Sequence, residues 1–273
     1  MKVPSGLKTS KVSNVCNLQK SLYGLKQASR QWNTKLSVVL INNGYVQSKD
    51  DYSLFIKNTH QSFTTILVYV DDLVLVGDNL EEIESIKQIL NDKFSIKDLG
   101  NLKYFLGMEV ARTKSGINLC QRRYCLDLLQ DVGLLAAKPA STPMDNTIKL
   151  HSSSGSAYTN PTAYRRMLGK LIYLTHTRPD VSFSVSHLSQ FISNPTIDHY
   201  QAGLRILRYL KNAPAKGLFF SSSSNLTLKG FSDSDWGACL DTRRSVIGYC
   251  FFLGDSLVSW KCKRQKIVSR SSA

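Results

Sequence analysis

Ile66-Leu67-Val68-Tyr69-Val70-Asp71-Asp72-Leu73-Val74-Leu75-Val76 is the stretch on which the fold and the chemistry turn. Two apolar runs flank two adjacent acids, the pattern of two strands joined by a tight turn. An unpartnered carboxylate is costly to bury, so such a pair either faces solvent or binds a cation. Phosphoryl transfer uses the second option: two divalent ions about 4 Å apart activate the attacking hydroxyl and stabilise the leaving pyrophosphate. Magnesium prefers oxygen donors and takes few protein carboxylates, nucleotide phosphates supplying the rest. Asp-Asp is also an ordinary turn pair. Tyr69 and the apolar strands on both sides favour the metal-binding reading.

Working outward, Phe63 to Val70 is expected as a strand, with Tyr52 to Ile56 before it and Leu73 to Val76 after it. Residues 18 to 42 carry Leu22, Leu25, Trp32, Leu36, Val39 and Leu40 near one helical face, stopped by Asn43-Gly44. A second helix begins at Asn79, which can accept first-turn N–H groups, with Glu82 placed to reach back as a capping box. Leu102 to Val110 and Gly116 to Leu119 predict a strand pair, and Arg123 to Asp131 a helix ending at Gly133. From 136 to 162 the composition turns to Ala, Ser, Thr, Pro and Gly, a linker signature. Three short helical patterns fill 163 to 216, broken at Pro179 and Pro195. From 217 to 273 short strands return: Leu218 to Phe220, Leu226 to Ser232, Val246 to Leu253 and Leu257 to Trp260.

Lys plus Arg number 35 against 20 Asp plus Glu, a formal charge of +15. Such an excess repels itself in a compact chain and favours a polyanionic partner over an ordinary solvated surface. Lys261, Lys263, Arg264, Lys266 and Arg270 cluster, with Arg243-Arg244 before them and smaller pairs at Arg122-Arg123 and Arg165-Arg166. Contacts from such residues to phosphates give sequence-independent, salt-sensitive affinity. None of the six cysteines forms a C-x-x-C pair or has a His at zinc-ligand spacing, so reduced thiols are expected. The first residues lack a signal-peptide core, and no apolar run approaches the ~20 residues of a membrane span. A soluble intracellular chain is the expectation.

With these residues in hand, the chain resembles the reverse transcriptases of copia-type retrotransposons. Ser21-Leu22-Tyr23-Gly24-Leu25-Lys26-Gln27-Ala28-Ser29-Arg30-Gln31-Trp32 is similar to the family's conserved segment, with Ser29 where proline is usual. Tyr69-Val70-Asp71-Asp72 matches its catalytic hairpin, and Lys97-Asp98-Leu99-Gly100 with Tyr104-Phe105-Leu106-Gly107-Met108-Glu109-Val110 its primer-grip stretch. Arg178-Pro179-Asp180 and Ser232-Asp233-Ser234-Asp235-Trp236 through Arg243-Arg244-Ser245 resemble the connection and the start of the ribonuclease H region.

The resemblance implies an α+β fold. Residues 1–135 would be a partial palm and thumb-like region, 136–162 a linker, 163–216 a helical connection, and 217–273 a truncated ribonuclease H-like β-sheet. Asp71 and Asp72 would hold Mg2+ as catalytic residues, and Asp233, with Asp235 close by, would do so in the ribonuclease H region. Tyr69, Gly24, Lys26 and Gln27 would border the nucleotide, and Phe105, Leu106 and Gly107 would grip the primer. The implied partners are an RNA template, a DNA primer, the RNA–DNA hybrid and other parts of a Pol polyprotein, with no membrane. No acid precedes Asp50, so the family's third palm aspartate has no counterpart, nor has the ribonuclease H glutamate beyond Ala273. The expectation is therefore a chain inactive in isolation: part of a larger RNA-directed DNA polymerase, a remnant without turnover, or a co-opted nucleic-acid-binding protein.

Overall fold

The computed structural model describes Val15 and residues 24–60, 62–145 and 147–268. Leu22, the Ser21-Leu22-Tyr23 part of the first motif, and Arg270 lie outside the described residues. Among those described, six α-helices and three antiparallel sheets form two compact units, residues 1–100 and 101–273. No described helix is long and apolar enough to cross a membrane.

In the first unit, helix α1 spans Ala28–Asn42 and a four-stranded sheet follows: β1 Val46–Gln47, β2 Leu54–Asn58, β3 Phe63–Tyr69 and β4 Asp72–Gly77, in that order. The described helix starts later than periodicity suggests, because Gly24 at φ +86° opens a turn that runs to Gln27. Alternation along β3 buries Thr64, Ile66 and Val68. They face a core of Leu36 and Leu40 from α1 and Ile86 and Leu90 from α2, Leu80–Phe94. Asn79 Oδ1 caps α2 by accepting the N–H groups of Glu81 and Glu82 at 2.8 and 3.2 Å. The capping box is not completed. Glu82 turns instead to Lys57 Nζ at 2.8 Å and to the Tyr45 hydroxyl at 3.3 Å, tying α2 to β2. Burial, then the Glu82 charge, raises the Tyr45 pKa.

In the second unit, a sheet of β5 Tyr104–Phe105, β6 Met108–Thr113 and β7 Gly116–Cys120 is completed by β8, Leu218–Ser221. The expected strand Leu102 to Val110 is divided by a turn at Leu106-Gly107, since both residues take left-handed φ. Helices α3 Arg122–Asp131, α4 Pro161–Leu174, α5 Ser182–Leu188 and α6 Ile197–Asn212 share one core, including Leu129, Leu168, Leu171, Leu188 and Leu207. Among the described residues, the 136–162 stretch lacks helix and strand apart from the start of α4, yet it is held along α6. Ala140 N–H donates to the Arg208 carbonyl at 3.2 Å, Leu150 is buried, and Tyr158 stacks on Tyr200 at 4.3 Å. A third sheet, ordered β11-β10-β9, comprises β9 Leu228–Ser234, β10 Val246–Leu253 and β11 Ser256–Arg264. β8 pairs with β7, not with these strands. Cys120, Cys125, Cys239, Cys250 and Cys262 are free thiols, and burial pushes Cys125 up to about 11.

Candidate active site hairpin

β3 and β4 pair through Tyr69 and Asp72, leaving Val70 and Asp71 as a two-residue turn. Val70 has φ 50°. A left-handed first turn residue is the geometry that normally calls for glycine, and a β-branched residue there is strained by about 1–3 kcal/mol. The chain compensates locally. Trp32, in the second turn of α1, donates its indole N–H to the Val70 carbonyl at 3.0 Å. The indole is half-buried and packs edge-on against Phe94, with ring centroids 4.8 Å apart. Lys35 lies over the other partner ring, Phe94, at 5.8 Å.

Asp71 and Asp72 are both exposed, and among the described residues neither carboxylate has a hydrogen-bond or ion-pair partner. Tyr69 is 48% exposed beside them. No group of three or more His, Cys, Asp or Glu side chains gathers among the described residues. Two hard oxygen donors on a fixed turn suit magnesium, which leaves most of its coordination sphere to water and phosphate. Gly24, Lys26 and Gln27 are exposed in the turn before α1, and Gln27 occupies the N-cap without a side-chain cap bond. The helix that follows this turn reaches the hairpin through Trp32. The sequence places Trp32 among the apolar helix positions and at the end of the family-like segment, without a role at the hairpin. Its one signal was a large aromatic at the otherwise exposed start of α1.

The Phe105-Leu106-Gly107 segment belongs to the second unit. Leu106 and Gly107, at φ 50° and 72°, form the turn between β5 and β6. The Tyr173 hydroxyl, from α4, donates to the Leu106 carbonyl. A Cβ on Gly107 would stand 2.8 Å from that hydroxyl oxygen, so a side chain there would have to displace Tyr173 in addition to adopting a φ that favours glycine.

Asp233, one residue before the end of β9, is exposed, its Oδ1 accepting the Ser234 N–H at 2.8 Å. Asp235 is half-buried and held by the N–H groups of Val246 at 3.1 Å and Ala238 at 3.3 Å. Both line a cavity of about 820 Å³ whose other walls include Phe183, Phe231, Phe252 and Trp260. Of the basic cluster, Arg264 turns inward to Gln190 at 2.8 Å, and Lys261 borders the cavity. Arg165 likewise donates to the Ile192 carbonyl at 3.0 Å. Arg264 is thus half-buried in the fold, whereas Arg165 stays exposed.

A family model described as reverse transcriptase (RNA-dependent DNA polymerase) matches residues 1–146. The chain is 44% identical to the retrovirus-related Pol polyprotein from transposon RE1 of Arabidopsis thaliana, over 98% of this chain and 18% of that one. It is 34% identical to the Pol polyprotein from transposon TNT 1-94 of Nicotiana tabacum, over 100% of this chain and 21% of that one. An uncharacterised mitochondrial protein of Arabidopsis thaliana is 42% identical over 76% of this chain and 86% of its own length. The chain thus spans about a fifth of the length of the Pol polyproteins it matches. No solved structure gives a significant match. A family match across 1–146, on a chain similar to transposon polyproteins nearly end to end, makes this a member of the reverse transcriptase family, of the kind found in copia-type retrotransposon Pol polyproteins.

Proposed function

We propose that this chain supplies the two-aspartate hairpin of an RNA-directed DNA polymerase, acting on a DNA primer paired to an RNA template. The observation that carries this reading is the pair Asp71 and Asp72: exposed, without protein partners, and presented on a turn braced from α1. A carboxylate pair kept for stability would be paired or hydrogen-bonded. This pair is left available. When bound, Mg2+ would supply charge neutralisation at the phosphates and a more acidic primer hydroxyl. The residues would hold the ions, Tyr69 would border the primer end, and Lys26 and Gln27 would meet the incoming nucleotide. Two carboxylates are fewer donors than such a site uses, so turnover needs an acid from outside the described residues.

In the same reading the first unit is part of a palm, Phe105-Leu106-Gly107 seats the primer strand, and the β9–β11 sheet is ribonuclease H-like, with Asp233 and Asp235 as its first acids. The net charge of +15 supports backbone contacts to an RNA–DNA hybrid.

The test combines hybrid binding with primer extension on an RNA template in Mg2+. The chain alone is expected to bind an RNA–DNA hybrid with affinity that falls steeply with salt, and not to extend the primer. Extension by the chain alone, abolished by Asp71→Asn, would overturn the incompleteness. Absence of salt-dependent hybrid binding would count against the nucleic-acid reading altogether.

A further inference from the structure

We propose that Trp32 is a positioning residue for the metal-binding hairpin, acting through the Val70 carbonyl and not through packing alone. This rests on the reading of Asp71 and Asp72 as ion ligands and adds a residue to that site. Four non-glycine residues take left-handed φ among the described ones: Val70, Ser95, Leu106 and Arg243. Ser95 caps the end of α2, and Arg243 lies in the loop before β10. The remaining two are both first residues of two-residue hairpin turns, both at φ 50°. In each, an aromatic side chain from a helix donates to that residue's carbonyl: Trp32 to Val70, and Tyr173 to Leu106.

The physical logic is the same at both turns. A side chain with a Cβ disfavours left-handed φ, so an unaided turn would relax toward other conformations. A donor aimed at the carbonyl holds the peptide plane between the first and second turn residues. At the Val70 turn that plane carries the amide of Asp71, so fixing it fixes where the backbone of both aspartates starts. Trp32 is itself seated by its edge-on contact with Phe94, which gives the donor a rigid base. Ion affinity depends on such outer contacts because they remove the cost of organising the ligands.

The experiment measures Mn2+ affinity of the full chain by the loss of the free-ion electron paramagnetic resonance signal. Trp32→Phe keeps an aromatic ring against Phe94 and removes the N–H together with part of the indole, so the packing share of its effect is separated by the double variant below. It is expected to weaken Mn2+ binding about tenfold. Phe94→Leu keeps the indole N–H but loosens its seat, and is expected to lower the melting temperature while weakening Mn2+ binding less than Trp32→Phe does. The decisive arm is Trp32→Phe combined with Val70→Gly. Glycine adopts φ 50° freely, so the double variant should recover the affinity of Val70→Gly alone, a non-additivity that lost packing would not produce. If Mn2+ binds and is lost in Asp71→Asn, while Trp32→Phe binds it as tightly as the unaltered chain, the positioning role is overturned and the site survives. Equal weakening with no recovery by Val70→Gly also overturns it. Mn2+ affinity no different from that of the Asp71→Asn, Asp72→Asn double variant overturns the site and the positioning role together.

Discussion

Arg178 grips Asp180 with two parallel hydrogen bonds, Nε to Oδ1 and Nη2 to Oδ2, each 2.9 Å long, with the arginine 3% exposed. The remaining guanidinium edge donates to the Ala213 carbonyl at 2.9 Å, and the Tyr209 hydroxyl donates to Asp180 Oδ2 at 2.8 Å. The motif Arg178-Pro179-Asp180 is thus a fastener between α4, α5 and the end of α6. Arg178→Met leaves the carboxylate without its main partner, and the second unit is expected to lose about 3–5 kcal/mol. Urea unfolding followed by circular dichroism measures this, with the Arg178→Met, Asp180→Asn pair expected to recover part of the loss.

The same pair sets an acid limit. Burial opposes the Asp180 charge, but Arg178, Tyr209 and Lys216 outweigh it and hold the carboxyl at about 2. A depressed carboxylate contributes stability that is full above its unfolded value near 3.9 and is lost as pH falls toward the folded one. Unfolding midpoints between pH 4.5 and about 2 should therefore fall more steeply for the parent chain than for Asp180→Asn.

His199 predicts a second, milder loss at higher pH. Its Nδ1 accepts the Thr196 N–H at 3.0 Å, and its Nε2 faces the His151 carbonyl at 3.1 Å, partners that together require the neutral Nε2–H form. Burial lowers its pKa. A histidine depressed in the folded state contributes stability that is full above the unfolded value near 6.5 and declines as pH drops below it. Thermal melts at pH 7.5 and about 5.5 should show a drop that His199→Gln reduces. An equal drop in the variant would place the sensitivity elsewhere, the nearby His187 first.

Asp71→Asn and Asp72→Asn separate a working pair from a stabilising one. Both side chains are exposed and unpartnered among the described residues, so neither substitution is expected to move the denaturation midpoint. Divalent-ion affinity should fall by about tenfold or more.

Gly107→Ala tests the second turn. A Cβ at φ 72° is strained and would crowd the Tyr173 hydroxyl. The expected cost is about 1–2 kcal/mol, seen as faster hydrogen exchange across 104–113, with Tyr173→Phe relieving the crowding but not the φ penalty.

Much of the first unit could be read in advance because its signals are local. The alternation of β3, the Asn79 cap and the Asn43-Gly44 stop each act within a few residues. What escaped was set by distant partners. Glu82 left its capping role because Lys57 and Tyr45, on the sheet, compete for it. Trp32 became a donor to a turn 38 positions away. The 136–162 stretch has no periodicity to betray its place; it is tied down by single long-range bonds, such as Ala140 N–H to the Arg208 carbonyl and Ser152 N–H to Asp241 at 2.9 Å. At the site, the residue types were visible and the brace was not.

The pairing of Leu119 with Leu218 joins β7 to a strand arriving roughly a hundred residues later. Closing so long a loop costs entropy before the contact returns anything, which slows assembly. During synthesis, the β7 edge must therefore stay bare until α3 to α6 and then β8 have been made. A gene fragment ending anywhere between α3 and β8 would encode a sheet with its hydrogen-bonding edge uncovered, and such edges recruit other chains. Truncation of the chain within that interval should yield aggregates in place of smaller folded proteins.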